Sequence, residues 1–243
     1  MNYNETSESH GIWRIIPSMT LTDIIAQSKY DFQILDCEHG AYDFHTLEQD
    51  IRICHLNKSL AYVRVSGLDK VEVQRCLDLG ADGIVFPQLN NYEDFNLATK
   101  MTQYAPKGIR GFNPFVSASK YGYENISKKK IKCIAIIETL DAITELDRIL
   151  SILELDVLYI GVYDLSAQLD CIGIMDSPKL LVLIDEIIEK CTKASKQVGL
   201  MINNIEDHKK YKNKGVNVFV HTVDSYVLKK TFTNTLNNFK GDN

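Results

Sequence analysis

"CLDLGADGIVFPQL", residues 76 to 89, contains a helix end followed by a strand, and this order recurs along the rest of the chain. Its first letters end an amphipathic helical pattern, and Gly80 follows as a residue suited to close a helix. The apolar letters GIVF, residues 83 to 86, have the length and composition of a buried strand. A helix, a glycine and a buried strand in this order are typical of an α/β protein.

The same alternation extends along the whole chain. Seven further strand-like segments are short and rich in β-branched residues, and helical patterns separate them. They are IWRII (12–16), FQILD (32–36), AYVRV (61–65), CIAIIE (133–138), VLYIG (157–161), VGLMI (198–202) and NVFVH (217–221). Eight strand and helix units in 243 residues predict an α/β fold of the (β/α)8 TIM barrel type. We expect a single domain over residues 1–243.

The composition limits the classes of partner. Hydrophobic residues make up 45% and charged residues 24%, which is ordinary for a globular protein in water. A net charge of -5 provides no basic field for nucleic acid. The chain lacks an apolar run of the roughly 20 residues that span a bilayer, and the polar start MNYNETSESH does not resemble a signal peptide. We therefore expect a cytoplasmic protein with no nucleic-acid or membrane partner.

The six cysteines occur singly, without a Cys-x-x-Cys pair. We expect most of them to be buried, reduced thiols. Cys37 stands between two acids, but strand alternation would direct it away from them, so a packing role is favoured over a nucleophilic one.

Polar side chains stand where the predicted strands end. In a TIM barrel, the carboxyl ends of all strands meet at one mouth, where active sites lie. The side chains expected there are Asp36, Glu38 and His39 after the second strand, Arg64 near the end of the third, Gln88 after the fourth, Glu138 at the end of the fifth and Asp164 after the sixth.

Four of these positions have chemistry that matches their residue type, although each also has a structural interpretation. Glu138 and Asp164 offer hard oxygen ligands for Mg²⁺ or Mn²⁺, or they are solvated loop acids. Arg64 offers a planar fork for the carboxylate of a keto acid, or it forms a salt bridge in the barrel. His39 could transfer a proton near neutral pH, or it only begins a helix.

The remaining histidines, one long loop and Lys132 are not predicted to be catalytic residues. His10, His45, His55 and His208 are interpreted as surface or packing residues, and His221 is ambiguous. The long segment from Ala105 to Lys130 interrupts the alternation of strands and helices between the fourth and fifth strands, and we expect it to be a functional loop. Lys132 precedes the fifth strand and so belongs to the opposite end of the barrel, which disfavours a Schiff-base aldolase.

Six motifs in order resemble the HpcH/HpaI class II pyruvate aldolases, which are relatives of the citrate lyase β subunit. The resemblance covers nearly the whole chain. The motifs are DCEHG (36–40), VRV (63–65), CLDLGADGIVFPQL (76–89), YAPKGIRGF (104–112), IIETLDAI (136–143) and IGVYDLSAQLD (160–170).

The resemblance implies specific roles. His39 is implied as the catalytic base with Asp78 as its orienting acid, and Arg64 as the residue that binds the pyruvate carboxylate. Glu138 and Asp164 are implied as ligands of a divalent metal, Mg²⁺ or Mn²⁺ and possibly Co²⁺. Gln88, Glu38 and Asp36 are expected around the substrate, the last two holding the turn.

This chain also departs from the family pattern. Ile136 stands where family members generally carry glutamine, and Ser117 where an arginine is common. Val162 and Tyr163 replace a proline and a small residue beside Asp164. The metal and pyruvate side is therefore expected to be kept, and the acceptor side to be remodelled.

The leading hypothesis is an aldolase-like domain: a divalent-metal-dependent lyase that cleaves or forms a 4-hydroxy-2-keto acid, with a small keto acid and an aldehyde as its partners. A second hypothesis is a metal-dependent condensing enzyme of the same barrel, of the citrate-forming or acyl-CoA type. A third is a non-catalytic barrel that binds a keto acid. The resemblance also implies a homo-oligomer, commonly one whose dimers exchange C-terminal helices.

Overall fold

Eight parallel strands close into a barrel in the order in which they follow one another along the chain. This computed structural model describes residues 8–125 and 129–241. The strands are β1 (Ser9–Arg14), β2 (Phe32–Asp36), β3 (Leu60–Arg64), β4 (Gly83–Phe86), β5 (Lys132–Ile137), β6 (Val157–Ile160), β7 (Gln197–Ile202) and β8 (Val218–Val223). Because β1 pairs with both β2 and β8, the sheet has no open edge. The predicted (β/α)8 barrel is confirmed.

Helices follow the strands around the outside. They are α1 (Met19–Gln27), α2 (Phe44–Leu56), α3 (Lys70–Leu79), α4 (Tyr92–Thr102), α5 (Leu140–Thr144), α6 (Leu146–Ile149), α7 (Val162–Gln168), α8 (Pro178–Lys193), α9 (Ile205–Asn213) and α10 (Asp224–Lys240). Gly80 ends α3 with a φ of 112°, in the left-handed region, as its place in the sequence predicts. None of the described helices has the length and apolar character that crossing a membrane would require.

Part of the sequence-based predictions falls on residues that the structure does not describe. These are residues 1–7 of the polar start, residues 126–128 of the long segment before β5, and residues 242–243. The described part of the long segment contains a 3-10 turn, Ser117–Gly122, which packs against α3 on the outer wall.

The first strand differs from its predicted bounds of residues 12 to 16. It begins at Ser9 and ends at Arg14. The backbone N–H groups of Ile15 and Ile16 donate to the carboxylate of Asp224 instead of continuing the ladder. A long-range polar partner, which no local pattern records, therefore ends this strand early.

The barrel interior is filled by aromatic and branched side chains. Trp13, Phe32, Tyr62 and Tyr159 belong to this inner cluster, together with valines and isoleucines from the other strands. A β-carbon on Gly11 would lie 2.1 Å from the Phe32 ring, so glycine is needed there for the ring to fit. The packed interior forms a solid floor beneath the mouth of the barrel.

One buried ion cluster joins β1 to the start of α10. Arg14 has no exposed surface, and its Nε donates to Asp224 at 3.0 Å. Its Nη1 donates to Gln33 at 2.6 Å and to Thr22 at 2.8 Å. A buried charge is tolerated only when it is paired and hydrogen-bonded, and here the guanidinium meets both conditions.

Replacing Asp224 by alanine should therefore destabilise the fold strongly. The change removes the carboxylate that is hydrogen-bonded to Arg14 and leaves Asp50, at 3.8 Å, as the more distant one. We expect the free energy of unfolding to fall by about 3–5 kcal/mol, measured by urea denaturation. Glu189→Ala is the matched control, because Glu189 pairs with Lys193 on the exposed face of α8. We expect the control to change the free energy of unfolding far less, because a solvent-exposed ion pair contributes little to stability. Equal effects of the two changes would contradict this interpretation of the Arg14 cluster.

Candidate active site

A cavity of about 520 Å³ opens at the carboxyl ends of the strands. It is lined by five of the polar residues that the sequence analysis singled out: Asp36, His39, Arg64, Glu138 and Asp164. These residues lie on four different strand ends or on the segments that follow them. The barrel therefore brings together side chains that are up to 128 positions apart in the sequence, between Asp36 and Asp164.

Asp36 is the most heavily bonded of these groups. Its Oδ1 accepts from Arg64 Nε at 2.8 Å and from the backbone N–H groups of Glu38 and His39 at 3.0 and 3.1 Å. Its Oδ2 accepts from Trp13 Nε1 at 2.9 Å and from Arg64 Nη2. Burial opposes ionisation, but the hydrogen bonds and the charge of Arg64 hold the pKa of Asp36 below its usual range. Both oxygens are occupied, so Asp36 orients other residues and has little capacity left for a substrate.

Arg64 lies between two carboxylates and faces the cavity. Besides its two bonds to Asp36, its Nη1 lies 2.8 Å from Glu38 Oε2, as an ion pair that lacks hydrogen-bond alignment. Burial would lower the pKa of Arg64, but Asp36 and Glu38 raise it. A guanidinium has five N–H groups, and the two bonds to Asp36 leave others that could donate to a substrate carboxylate.

His39 is held through its backbone alone. Its N–H donates to Asp36, and its exposed side chain lines the cavity. Within residues 8–125 and 129–241, the imidazole forms no hydrogen bond, so both ring nitrogens are available for proton transfer.

Glu138 is a buried carboxylate that forms no salt bridge with another residue of the described ranges. Burial and the nearby acids Asp164 and Glu38 raise its pKa to about 7, and the bond from the Gln88 backbone N–H opposes this. That N–H donates to Oε1 at 2.5 Å. A β-carbon on Gly161 would lie 3.0 Å from the other oxygen, Oε2, so glycine keeps this side of the carboxylate open. An open carboxylate beside Asp164 is a suitable pair of ligands for a hard divalent cation.

Gln88 and Glu38 form the rim next to the cavity. The side-chain amide of Gln88 donates to Glu38 Oε1 at 2.6 Å. Gln88 has a φ of 57°, a conformation that is unusual for a residue other than glycine. This backbone geometry aims the Gln88 N–H at Glu138, so one residue positions both acids.

Asp78 lies in a different place from the other predicted site residues. It stands in the last turn of α3, near the amino ends of the strands, and accepts from Arg110 Nη2 at 3.4 Å. Burial raises its pKa, and Arg110 opposes the rise. His39 follows β2 at the opposite end of the barrel. Within one chain, Asp78 therefore does not orient His39, and its role stays a prediction that requires a second copy of the chain.

The remaining wall of the cavity was not found from the sequence. It is apolar and aromatic, and its members are Trp13, Ile15, Tyr159, Met201, Val223 and Tyr226. Tyr159 is 4% exposed, and its hydroxyl has no hydrogen-bond partner in the described part of the chain. The inward alternation of β1 and β6 could have pointed to Trp13 and Tyr159, but Val223 and Tyr226 depend on where α10 begins.

Three of the four departures from the family pattern lie in this cavity and one does not. Ile136, Val162 and Tyr163 line it, whereas Ser117 lies in the 3-10 turn on the outer wall. Cys37 is half-buried, and burial together with nearby acids raises its pKa to about 12, which fits a packing residue. The other five cysteines are buried free thiols, as predicted.

Comparison with known proteins gives a consistent group of relatives. The family model described as HpcH/HpaI aldolase/citrate lyase matches residues 10–230. The chain is 28% identical over 195 residues to a 2-dehydro-3,6-dideoxy-6-sulfogluconate aldolase of Pseudomonas putida, covering 79% of this chain and 76% of that protein. It is 28% identical over 223 residues to a 4-hydroxy-2-oxo-heptane-1,7-dioate aldolase of Klebsiella pneumoniae, covering 90% and 84%. The crystal structure of the citrate synthase SbnG superposes with a TM-score of 0.89 at 27% identity, covering 99% and 97%.

The bonding of Asp36 predicts a pH-dependent stability. Because its folded pKa is lowered, the carboxylate stabilises the protein above the unfolded pKa of about 3.9, and the contribution is lost as pH falls through the folded value. Asp36→Asn should lower the free energy of unfolding by about 3–5 kcal/mol at pH 7, and by less as the pH approaches 3. Urea denaturation at several pH values measures the difference.

Asp147→Asn is the control for this experiment, since Asp147 pairs with Lys190 on the surface and is 78% exposed. We expect a change of about 1 kcal/mol or less at every pH. A difference between wild type and Asp36→Asn that stays constant from pH 7 to pH 3 would contradict the assigned role of the Asp36 charge.

Proposed function

The chain belongs to the HpcH/HpaI aldolase/citrate lyase family, and on this basis we propose that it is a carbon–carbon lyase acting on 4-hydroxy-2-keto acids. The reaction releases, or in reverse consumes, pyruvate and an aldehyde. One observation carries the proposal: the guanidinium of Arg64 lines the same cavity as Glu138 and Asp164, two carboxylates that form no salt bridge among the described residues. An α-keto acid presents the complementary groups, a carboxylate and a neighbouring carbonyl oxygen.

The donor set supports a divalent cation, Mg²⁺ or Mn²⁺, held by Glu138 and Asp164. Burial is the main cause of the raised pKa of Glu138, and repulsion from the nearby acids Asp164 and Glu38 adds to it. A cation between Glu138 and Asp164 would relieve that repulsion. Such an ion, when bound, polarises the keto group and stabilises the negative charge that develops on its oxygen. Arg64 binds the substrate carboxylate and so orients the keto acid against the two acids.

His39 handles the proton in this proposal. In the cleavage direction, its imidazole accepts the proton of the 4-hydroxyl group, and the bond between carbons 3 and 4 breaks. The aldehyde carbonyl forms from that hydroxyl, and the bonding electrons move into the keto acid as its enolate. Return of one proton to carbon 3 then gives pyruvate. The free ring nitrogens of His39 suit it to both transfers.

The aldehyde half of the substrate faces the apolar wall. Tyr163 and Tyr226 flank this side, and Ile136 contributes an aliphatic side chain from the barrel interior. Besides His39, Arg64 is the one basic side chain among the described residues that line the cavity. This arrangement favours an aldehyde with a neutral or apolar chain over one that carries a second carboxylate.

A citrate-forming condensation is the second candidate, and the likeness to SbnG favours it. Both reactions add an enolate carbon to a carbonyl carbon, so the same Arg64, Glu138 and Asp164 would serve. The apolar Ile136 also leaves a third possibility, a barrel that binds the keto acid without turnover.

Pyruvate release from a panel of 4-hydroxy-2-keto acids, with and without Mg²⁺ or Mn²⁺, tests the proposal. We expect metal-dependent release of pyruvate. Glu138→Gln should lower kcat/KM by a factor of about 100 or more, because the variant would hold the cation that stabilises the negative charge of the transition state less well. Glu93→Gln is the control, since Glu93 pairs with Arg148 on the outside of the barrel. Citrate-like products from oxaloacetate and an acetyl thioester, without pyruvate release, would favour the second candidate. Pyruvate-dependent stabilisation without turnover would favour the third.

We also propose a homo-oligomer in which α10 is covered by another copy. Of the described residues of α10, Asp224 alone is buried. Phe232, Leu236 and Phe239 are 66%, 53% and 88% exposed and stand four and three positions apart, on one face of the helix. A contiguous exposed apolar face is typical of an interaction surface. A cytoplasmic location stays a prediction.

Replacing Leu236 by aspartate should therefore shift the assembly toward smaller species, because a carboxylate would enter the apolar contact. Sedimentation velocity at several protein concentrations measures the shift. Asn234→Asp, on the same exposed helix, adds the same charge away from the apolar face and should leave the assembly unchanged. A wild-type protein that sediments as a monomer at all concentrations would refute the homo-oligomer.

A further inference from the structure

A second group of metal-binding side chains lies on the outer wall, away from the mouth. Glu8 precedes β1, His10 lies within it and His208 lies on α9. Glu8 Oε1 is 2.9 Å from His10 Nε2 and 2.5 Å from His208 Nε2. Gly11, the next residue, faces the Phe32 ring inside the barrel, so strand alternation turns His10 outward toward α9.

The imidazole of His10 is oriented by a further histidine. His10 Nδ1 lies 2.8 Å from Nε2 of His221 on β8. A histidine that binds a metal through one ring nitrogen generally has its other nitrogen held by a hydrogen bond, which sets the ring orientation. His208 is also packed in place, with its ring 4.6 Å from the Phe219 ring in an edge-on arrangement.

We propose that Glu8, His10 and His208 bind a transition-metal dication of the Zn²⁺ type. Their ligand atoms all lie within 4.8 Å of one another. Two imidazole nitrogens and one carboxylate oxygen are a common ligand set for zinc, with bonds of about 2.0–2.2 Å. Tetrahedral ligands at such distances stand a little over 3 Å apart, so the two shorter contacts to Glu8 have to open by less than about 1 Å.

Lys212 opposes the binding of a cation here. Its Nζ contacts Glu8 Oε2 at 2.5 Å, but the side chain is 56% exposed and can turn into solvent. In the absence of metal, Lys212 and the two imidazoles satisfy the Glu8 carboxylate. A bound metal would replace these direct contacts to Glu8, with both imidazoles as ligands, and would join the start of β1 to α9. The site is thus structural or regulatory and is separate from the carbon–carbon lyase chemistry proposed for the mouth.

Zinc titration of the full chain by calorimetry tests the proposal, with a melting-temperature scan as a second readout. We expect a zinc site that His208→Gln and His10→Gln each weaken by a factor of about 100 or more, since one of three ligands is lost. His221→Phe keeps a ring but removes the hydrogen bond, and should weaken binding by about 10- to 100-fold. His45→Gln, on the exposed surface of α2, is the control and should bind zinc like the wild type.

Removing the charge of Lys212 distinguishes a metal site from an ion-pair network that binds no metal. Lys212→Met removes the competing cation, so zinc binding should become tighter while the metal-free protein becomes no more stable. If the two histidine variants bind zinc with wild-type stoichiometry and affinity, the proposal is overturned. Zinc that binds only at the mouth would be lost in Glu138→Gln and retained in His208→Gln, which is the opposite pattern.

Discussion

The buried carboxylate of Asp36 is the contact on which the mouth of the barrel depends. It lies at the end of β2 and binds Trp13 on β1, Arg64 on β3 and the turn that carries His39. With five donors on two oxygens, it has almost no freedom to move. Asp36 thus fixes β1, β3 and the turn that carries His39 relative to one another. Such preorganisation favours catalysis, because a small misplacement of a catalytic group lowers the reaction rate.

Two carboxylates of the same cavity are held in opposite electrostatic states. Asp36 is neutralised by Arg64, and its pKa is lowered, whereas Glu138 faces other acids, and its pKa is raised to about 7. Burial penalises both, so the difference comes from their neighbours. An acid that is already paired serves the architecture. An acid that is not paired with a cation retains its capacity for a ligand, and Gly161 keeps the space beside Glu138 open for one.

Much of the fold and half of the site could be predicted because they depend on local patterns. Strand and helix periodicity with glycine after α3 indicates the barrel, and strand ends place Arg64, Glu138 and Asp164 at one mouth. The early end of β1 could not be predicted, because Asp224 lies more than two hundred residues away from Ile15. The same limit applies to Asp78, whose partner Arg110 depends on how the long loop folds back onto α3.

The histidines show where reading residues one at a time fails. His10, His208 and His221 are unremarkable in the sequence, since their spacing matches no metal motif. Barrel closure pairs β1 with β8 and places α9 beside them, so the three rings meet within hydrogen-bonding or stacking distance. The closing pair of strands joins the two ends of the chain, and ligands from both ends can meet only after the whole barrel has formed. A metal held there would therefore bind the completed fold in preference to the unfolded chain, and so would stabilise the seam at which the barrel closes.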